Sequence, residues 1–590
     1  MTQQQILSLL RRVGRQDLSI SESTRLSVPQ NQLLKPYLQE ITDFADHCRG
    51  TAIPVLPYSS FKLFHETGDR RQFEDGDCGY FPRRGRLTAF GILAWLYGRE
   101  EDLSELEDVI WAVCDEYTWS LPAHVKPEAF TTQLENDAYM VDLFAAETGG
   151  TLAELVYLLG DRIAPIVRKR IARLLDERIF KRVLEDEFGW MTATHNWAAV
   201  CAGSVGIAAI YAIDDDEYLS RVLARILPAF DSFLSGFAED GSCLEGIGYW
   251  NYGFSYFVSF ADLLLRRTAG EMDLFAHPRV PLIAAFQQKC YFPGGRTISF
   301  SDGDSRSTYM PGLTAYLSRK YEEVMIPPVC SCQMSYMDDH CHRWNNVFRN
   351  LIWANDSADD VPVRFQSCQL PSAQWFIGHS PNGAGIAAKA GHNDEPHNHN
   401  DVGSFQYYLN GEEMLSDLGS GEYTRQYFSD ERYDFFVCGS QGHNVPMIDG
   451  CTQRAGTEAC AKEVQLDGHG ISMEIAAAYD LEALKSLKRC IAFDEQSGQT
   501  VLTDTFMLEG EHEVCERLIT YGTITLDECC AVLCLNGQSL RIAFDPKALK
   551  PSITPVSYKA HLGVERNLFA LDFKTMLQGT AAIELIIKPE

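Results

Sequence analysis

The run His397-Asn398-His399-Asn400-Asp401-Val402-Gly403-Ser404-Phe405 sets two imidazoles and a carboxylate just ahead of an apolar stretch, and Asp417 and His443 follow downstream. Zinc accepts imidazole nitrogen and carboxylate oxygen, so His399, Asp417 and His443 would supply three ligands and leave one position for water. On an extended backbone His397, His399 and Asp401 share one face. One imidazole can then hold a metal while its neighbour works beside it. The plainer alternative is that these are polar loop residues.

The elements around this run decide where its side chains can stand. Phe405 to Leu409 is apolar and aromatic, Asn410-Gly411 is a strong two-residue turn signal, and Glu412 to Asp417 returns, which predicts a β-hairpin entered directly from the histidines. A regular hairpin pairs Leu409 with Glu412 and places Asp417 opposite Ser404, about five residues, or ~16 Å, along the strand from His399. A shared metal therefore requires a bend or bulge near Gly403 or Gly419, both of which permit it.

Two further motifs carry polar chemistry. His195-Asn196-Trp197 precedes the run Ala198 to Ala212, almost wholly apolar and small, which reads as a helix buried on all sides. Its N-terminus would aim backbone dipoles and two polar side chains at an anion; alternatively His195 and Asn196 merely cap it. Glu245-Gly246-Ile247-Gly248-Tyr249-Trp250 leads on to Tyr252 and Tyr256, phenols that can donate a proton, stack on a sugar or simply pack.

In order along the chain, His195-Asn196-Trp197, Glu245 to Trp250, His397 to Phe405 and Gly442-His443-Asn444 resemble the signature of the heparinase II/III family of polysaccharide lyases. The resemblance implies an α/α toroid, an incomplete barrel, followed by an antiparallel β-sandwich domain, with the active site in the cleft between them. It also implies a carbon–oxygen lyase that removes the C5 proton of a uronic acid, expels the C4 oxygen and leaves an unsaturated sugar. In that frame Asn196 clamps the uronate carboxylate, His195 is the base or its partner, Tyr249 is the catalytic tyrosine and His397 holds or neutralises the substrate. Trp197, Glu245, Tyr252, Arg306 and Arg425 would contact the sugar. Zinc on His399, Asp417 and His443 would be structural, fixing the loop that carries His397, with Asp401 free to orient either imidazole.

The remaining sequence agrees independently. A chain of 590 residues exceeds one ordinary core, so two domains are expected. Leu87 to Tyr97, Ala138 to Ala146, Leu152 to Leu159, Ile163 to Leu184 and Phe254 to Leu265 have helical apolar spacing. The polar, acidic stretch 355–362 ends in proline and marks a boundary between a helical domain, 1–355, and a sheet domain, 363–590. Beyond it Gln374 to Ile377, Ile386 to Ala388, Gln499 to Phe506 and Ala581 to Ile587 read as strands. Helices followed by strands indicate separate layers.

A net charge of −30 argues against nucleic acid, which needs a basic stripe. The expected partner is an acidic oligosaccharide or polysaccharide, met by local cations such as Arg306, Arg425 and Arg432; a homo-oligomer is left open. Met1 to Arg15 lacks an apolar signal core and no run is long enough to span a membrane, so a cytoplasmic protein with no membrane partner is expected. The eighteen cysteines should then be reduced, mostly buried packing groups such as Cys201. Cys330 and Cys332 with Cys341 and His342 are too irregularly spaced for a second metal site.

Two rival classes need other residues. An α/α-barrel glycoside hydrolase would need a carboxylate pair, for which Asp302, Asp304 or Glu245 could be nominated. A noncatalytic carbohydrate-binding protein would have no use for His195, Tyr249 and His397 together. Ser301 to Arg306 holds two carboxylates but lacks the rest of a calcium loop, and reads as a turn.

Overall fold

The computed structural model describes residues 1–75, 79–125, 139–307, 309–327, 334–354 and 365–590. The chain divides into two compact units: Met1–Gly236 with Trp250–Pro281 and Thr308–Pro362, and Phe237–Tyr249 with Leu282–Ser307 and Val363–Glu590. Two segments from the helical half of the sequence thus belong to the sheet unit. The whole boundary stretch 355–362 lies outside the described residues.

The first unit is helical. Among its elements are α1 (Tyr80–Tyr97), α2 (Leu143–Leu159), α3 (Pro165–Leu175), α4 (Asn196–Ala212), α5 (Asp216–Ser235) and most of α6 (Ile247–Arg267). Where two helices were expected, around Ala138–Ala146 and Leu152–Leu159, a single helix α2 runs; Ala138 lies outside the described residues. Gly149-Gly150 does not break it, because packing uses the missing side chain: a Cβ on Gly150 would lie 3.2 Å from the Ser204 carbonyl oxygen of α4. The span Ile163–Leu184 becomes α3, a π-turn over Asp176–Phe180 and a last turn over Lys181–Glu185. Helix α4 is buried from Ala198 to Tyr211, as an all-round apolar helix must be. No helix among the described residues is long and apolar enough to cross a membrane.

The second unit is antiparallel. A five-stranded sheet contains β1 (Trp375–His379), β2 (Ala384–Lys389), β3 (Phe405–Leu409) and β4 (Glu412–Leu415), and a ten-stranded sheet is built around β5 (Leu484–Phe493), β6 (Thr500–Thr520) and β7 (Glu565–Pro589). Phe376, Ile386 and Tyr407 of the smaller sheet share one core with Leu487, Ile491, Phe506 and Leu585 of the larger, the arrangement of two sheets packed face to face. The described cysteines are free thiols, with Cys201 buried.

The expected hairpin forms, with Leu409 opposite Glu412 and both Asn410 and Gly411 at positive φ, as a two-residue turn between twisted strands demands. A bulge shifts the register between Tyr407 and Tyr408. The bends needed beyond the strands are also made: Ser404 N–H donates to the Asp401 carbonyl, with Gly403 at φ +86° and Gly419 at φ +62°. Asn444 ties the two strand ends, its amide donating to the Phe405 and Ser416 carbonyls at 2.6 and 3.1 Å. Buried Arg489 of β5 completes the support. It pairs with Asp504 and Glu516 and donates to the Gly403 and Asn444 carbonyls at 2.9 and 2.8 Å.

Candidate active site and metal centre

Asp302 is the centre of the second unit's polar cluster. It lies in a tight turn closed by Gly303 N–H donating to the Phe300 carbonyl, so the expected turn is present. Its carboxylate is turned into the cluster. Oδ1 accepts from Tyr427 Oη at 2.5 Å, Arg432 Nη2 at 3.0 Å and His399 Nε2 at 3.1 Å. Oδ2 accepts from His397 Nδ1 at 2.8 Å and Tyr423 Oη at 3.1 Å. Burial opposes its charge, yet the bonds from His397 and His399 and the Arg432 guanidinium hold the carboxyl well below the usual carboxylate range. A carboxylate this committed can be neither a general acid nor a glycosidase nucleophile. The hydrolase assignment of Asp302 is therefore corrected.

His397 and His399 do share a face, though not by extended geometry. His397 has φ +57°, a left-handed conformation uncommon for residues other than glycine, and Arg432 pins its carbonyl at 3.0 Å. Asp401, expected to orient an imidazole, is instead paired with buried Lys389 at 2.8 Å. Asp302 does the orienting. Because an ionised carboxylate only accepts, His397 must present Nδ1–H to it, which leaves Nε2 as the basic nitrogen of the neutral ring.

Tyr249 stacks on His397, with ring centroids 4.3 Å apart. Its hydroxyl lies 2.7 Å from Tyr423 Oη and 3.4 Å from His397 Nδ1. Tyr423 gives its single proton to Asp302, so Tyr249 donates to Tyr423. Burial and the Asp302 charge push the Tyr249 phenol upward. At rest it is a proton donor.

The expected metal ligands do converge. His399, Asp417 and His443 are all buried and bring one ligand atom each to within 4.8 Å of the others. His443 Nε2 lies 2.9 Å from the Val437 carbonyl and must donate to it, so Nδ1 faces Asp417 Oδ2 at 3.0 Å. Two lone pairs cannot face each other there unless a proton or a cation sits with them. His399 Nδ1 and Asp401 Oδ2 are buried without hydrogen-bond partners, and Asp401 Oδ2 is 4.0 Å from His443 Nδ1. Burial opposes a charged Asp417, but His443 lowers it. Donors and charge thus fit a dication.

The expected cations divide. Arg306 and Arg425 are exposed. Arg432, by contrast, is buried and donates to Asp302 and to the carbonyls of Asn398, Tyr427 and His397. It fixes the histidine loop and is not available to a substrate anion. Glu245 is buried in this unit. Tyr423, Tyr427 and the hub role of Asp302 were missed; the acidic turn was the only signal pointing to the hub.

In the first unit, His195 is the N-cap residue of α4 but makes no capping side-chain hydrogen bond, which removes capping as its explanation. Asn196 is buried at the first helical position and Trp197, partly exposed, lies edge-on to His124 at 4.8 Å. Tyr252 donates to Glu147 at 2.5 Å while the Arg343 guanidinium covers its ring at 4.1 Å. Burial raises the Glu147 carboxyl to about 7 against the pull of Arg343. Cys330 and Cys332 lie outside the described residues. His342 packs between Phe44 and Tyr336; Asp339, His340 and Cys341 cluster beside it, with Asp339 already paired to Arg343.

No family model matches the sequence, and no curated protein matches it. Solved structures do. The chain is similar to heparinase III, at 12% identity over 95% of this chain and 93% of that one, with a TM-score of 0.63. It is similar to the heparan sulfate lyase HepC of Pedobacter heparinus, at 13% identity over 100% and 93%, TM-score 0.57. It is also similar to the chondroitin AC lyase of Streptomyces coelicolor A3, at 11% identity over 99% and 83%, TM-score 0.55. The fold is that of the heparinase-like polysaccharide lyases, an α/α toroid, not closed into a barrel, with an antiparallel β domain.

Proposed function

We propose that the protein is a lyase that cleaves uronic-acid-containing glycans by β-elimination. The observation that carries this reading is the Tyr249–His397 pair, a protonated phenol stacked on an imidazole whose tautomer Asp302 sets. Elimination breaks the C5–H and C4–O bonds and forms a C4–C5 double bond. His397 Nε2 is suited to take the C5 proton, and Tyr249 to protonate the departing C4 oxygen. The C5 proton becomes acidic only when charge building on the uronate carboxylate is neutralised. The resemblance assigns that clamp to Asn196 and makes His195 the base or its partner, the partner's part being the one left if His397 is the base; both stand at the start of α4, where backbone N–H groups favour an anion.

A zinc ion on His399, Asp417 and His443 would supply charge and rigidity to the loop that carries His397. Each ligand has a supporting contact: Asp302 on His399, the Val437 carbonyl on His443 and the Gly419 amide on Asp417. The solved lyases named above act, by their titles, on heparan and chondroitin sulfates, which supports an acidic glycan here. Product mass tests the reading, because elimination yields a fragment one water lighter than hydrolysis does. Incubation with sulfated and unsulfated uronate oligosaccharides should give the leaving saccharide at its ordinary mass and the uronate-side fragment only in the form one water lighter.

A further inference from the structure

We infer that Asp302 is a positioning residue that couples the metal ligand His399 to the catalytic pair, through one arm to His397 and another through Tyr423 to Tyr249. The inference rests on the lyase reading for its catalytic half, while its structural half stands alone. Each carboxylate oxygen has a separate set of donors. Oδ1 holds His399 Nε2 together with Tyr427 and Arg432; Oδ2 holds His397 Nδ1 and Tyr423 Oη. An ionised carboxylate accepts hydrogen bonds and has no proton to give. Every proton around it is therefore directed inward. That fixes three things at once: the His399 nitrogen left for a metal is Nδ1, the His397 nitrogen left for a substrate is Nε2, and the Tyr249 proton points along Tyr423.

The neighbouring carboxylate on the histidine loop does not share this task, because Asp401 gives Oδ1 to Lys389 and its Oδ2 lies toward His443. The Asp302 side chain is fully buried, so water does not compete for its lone pairs. A metal on His399 would withdraw electron density from the ring and strengthen the Nε2–H···Oδ1 bond, and Oδ2 would feel the change. Asp302 would then report metal loading to the pair without touching substrate.

Asp302→Asn is the isosteric test, since an amide must turn two N–H groups toward groups that also donate. Zinc affinity should fall about 10- to 100-fold, and kcat should fall on the order of 100-fold or more with KM changed little. Tyr423→Phe cuts only one arm, so it should lower kcat about 10-fold or more while zinc affinity stays as in the wild type. If Asp302→Asn does not fold, ¹⁵N imidazole spectra of the wild-type protein decide instead: both His397 Nδ1 and His399 Nε2 should carry protons in the zinc-loaded form. An Nε2–H tautomer at His397, or an Asp302→Asn variant with wild-type kcat and zinc affinity, overturns the inference. A wild type inactive on every uronate substrate would defeat the lyase reading alone, because zinc titration and tautomers are read without turnover.

Discussion

The Tyr249 ring lies stacked on the His397 imidazole, 4.3 Å between centroids and 22° from parallel, although 148 residues separate them. Both belong to the same compact unit, because the segment Phe237–Tyr249 packs with the sheet half of the chain. The pair is the place where a proton donor and a proton acceptor meet.

Replacing the phenol isolates the donor. Tyr249→Phe keeps the stacking and removes only the hydroxyl, so kcat should fall by about 10²–10⁴-fold with a small change in KM. Tyr252→Phe should cost far less, since its hydroxyl is bonded to Glu147. Steady-state kinetics of the two variants check the order; a dead Tyr252→Phe beside an active Tyr249→Phe would reverse the assignment.

The two imidazoles on the loop should separate by phenotype. His399→Ala should lose bound zinc and unfold earlier, because a ligand bound only by the folded state contributes about 4 kcal/mol at a thousandfold excess over Kd. His397→Ala should lose turnover and retain the metal. Metal analysis with thermal melts, on protein never exposed to chelator, measures both. Zinc-free wild type would remove the metal from the site.

Glu147 should make stability depend on pH. Its folded carboxyl sits at about 7, above the ordinary value of 4.5, so the folded state holds more protons between these limits. Stability from this group is therefore full below 4.5 and is lost as pH rises through 7. Glu147→Gln cannot ionise, and relative to wild type it should gain about 1–3 kcal/mol between pH 4.5 and 8. Denaturant melts across that range test it; a difference that does not vary with pH would contradict the buried, proton-holding carboxyl.

Arg489 tests the scaffold. Arg489→Met leaves Asp504 and Glu516 buried without their cation and frees the Gly403 and Asn444 carbonyls. Stability should fall by about 3–5 kcal/mol. Urea unfolding measures the loss.

What the sequence disclosed depended on range. Helical periodicity, the Asn410-Gly411 turn and the buried run after His195 are local patterns, and they placed helix and turn correctly, although the two helices expected around Ala146 and Leu152 are one and the span Ile163–Leu184 is broken by a π-turn. The convergence of His399, Asp417 and His443 was legible because their residue types are chemically specific, and the geometric objection to it correctly located bends at Gly403 and Gly419. Asp302 was not legible. One carboxylate in an acidic turn looks like any other until residues about a hundred positions away close around it. Arg432 misled for the same reason, since an arginine in a loop carries no sign of whether it will meet substrate or protein carbonyls. Asp401 misled because alternation on an extended strand was assumed where His397 turns left-handed.

The most direct test of β-elimination at the Tyr249–His397 pair is ultraviolet absorbance of the reaction product over a panel of uronic oligosaccharides, with Tyr249→Phe run beside the wild type. New absorbance from an unsaturated uronate is expected with at least one substrate for the wild type, and almost none for the variant. Cleavage that releases reducing ends without that absorbance would mean hydrolysis, and would contradict it.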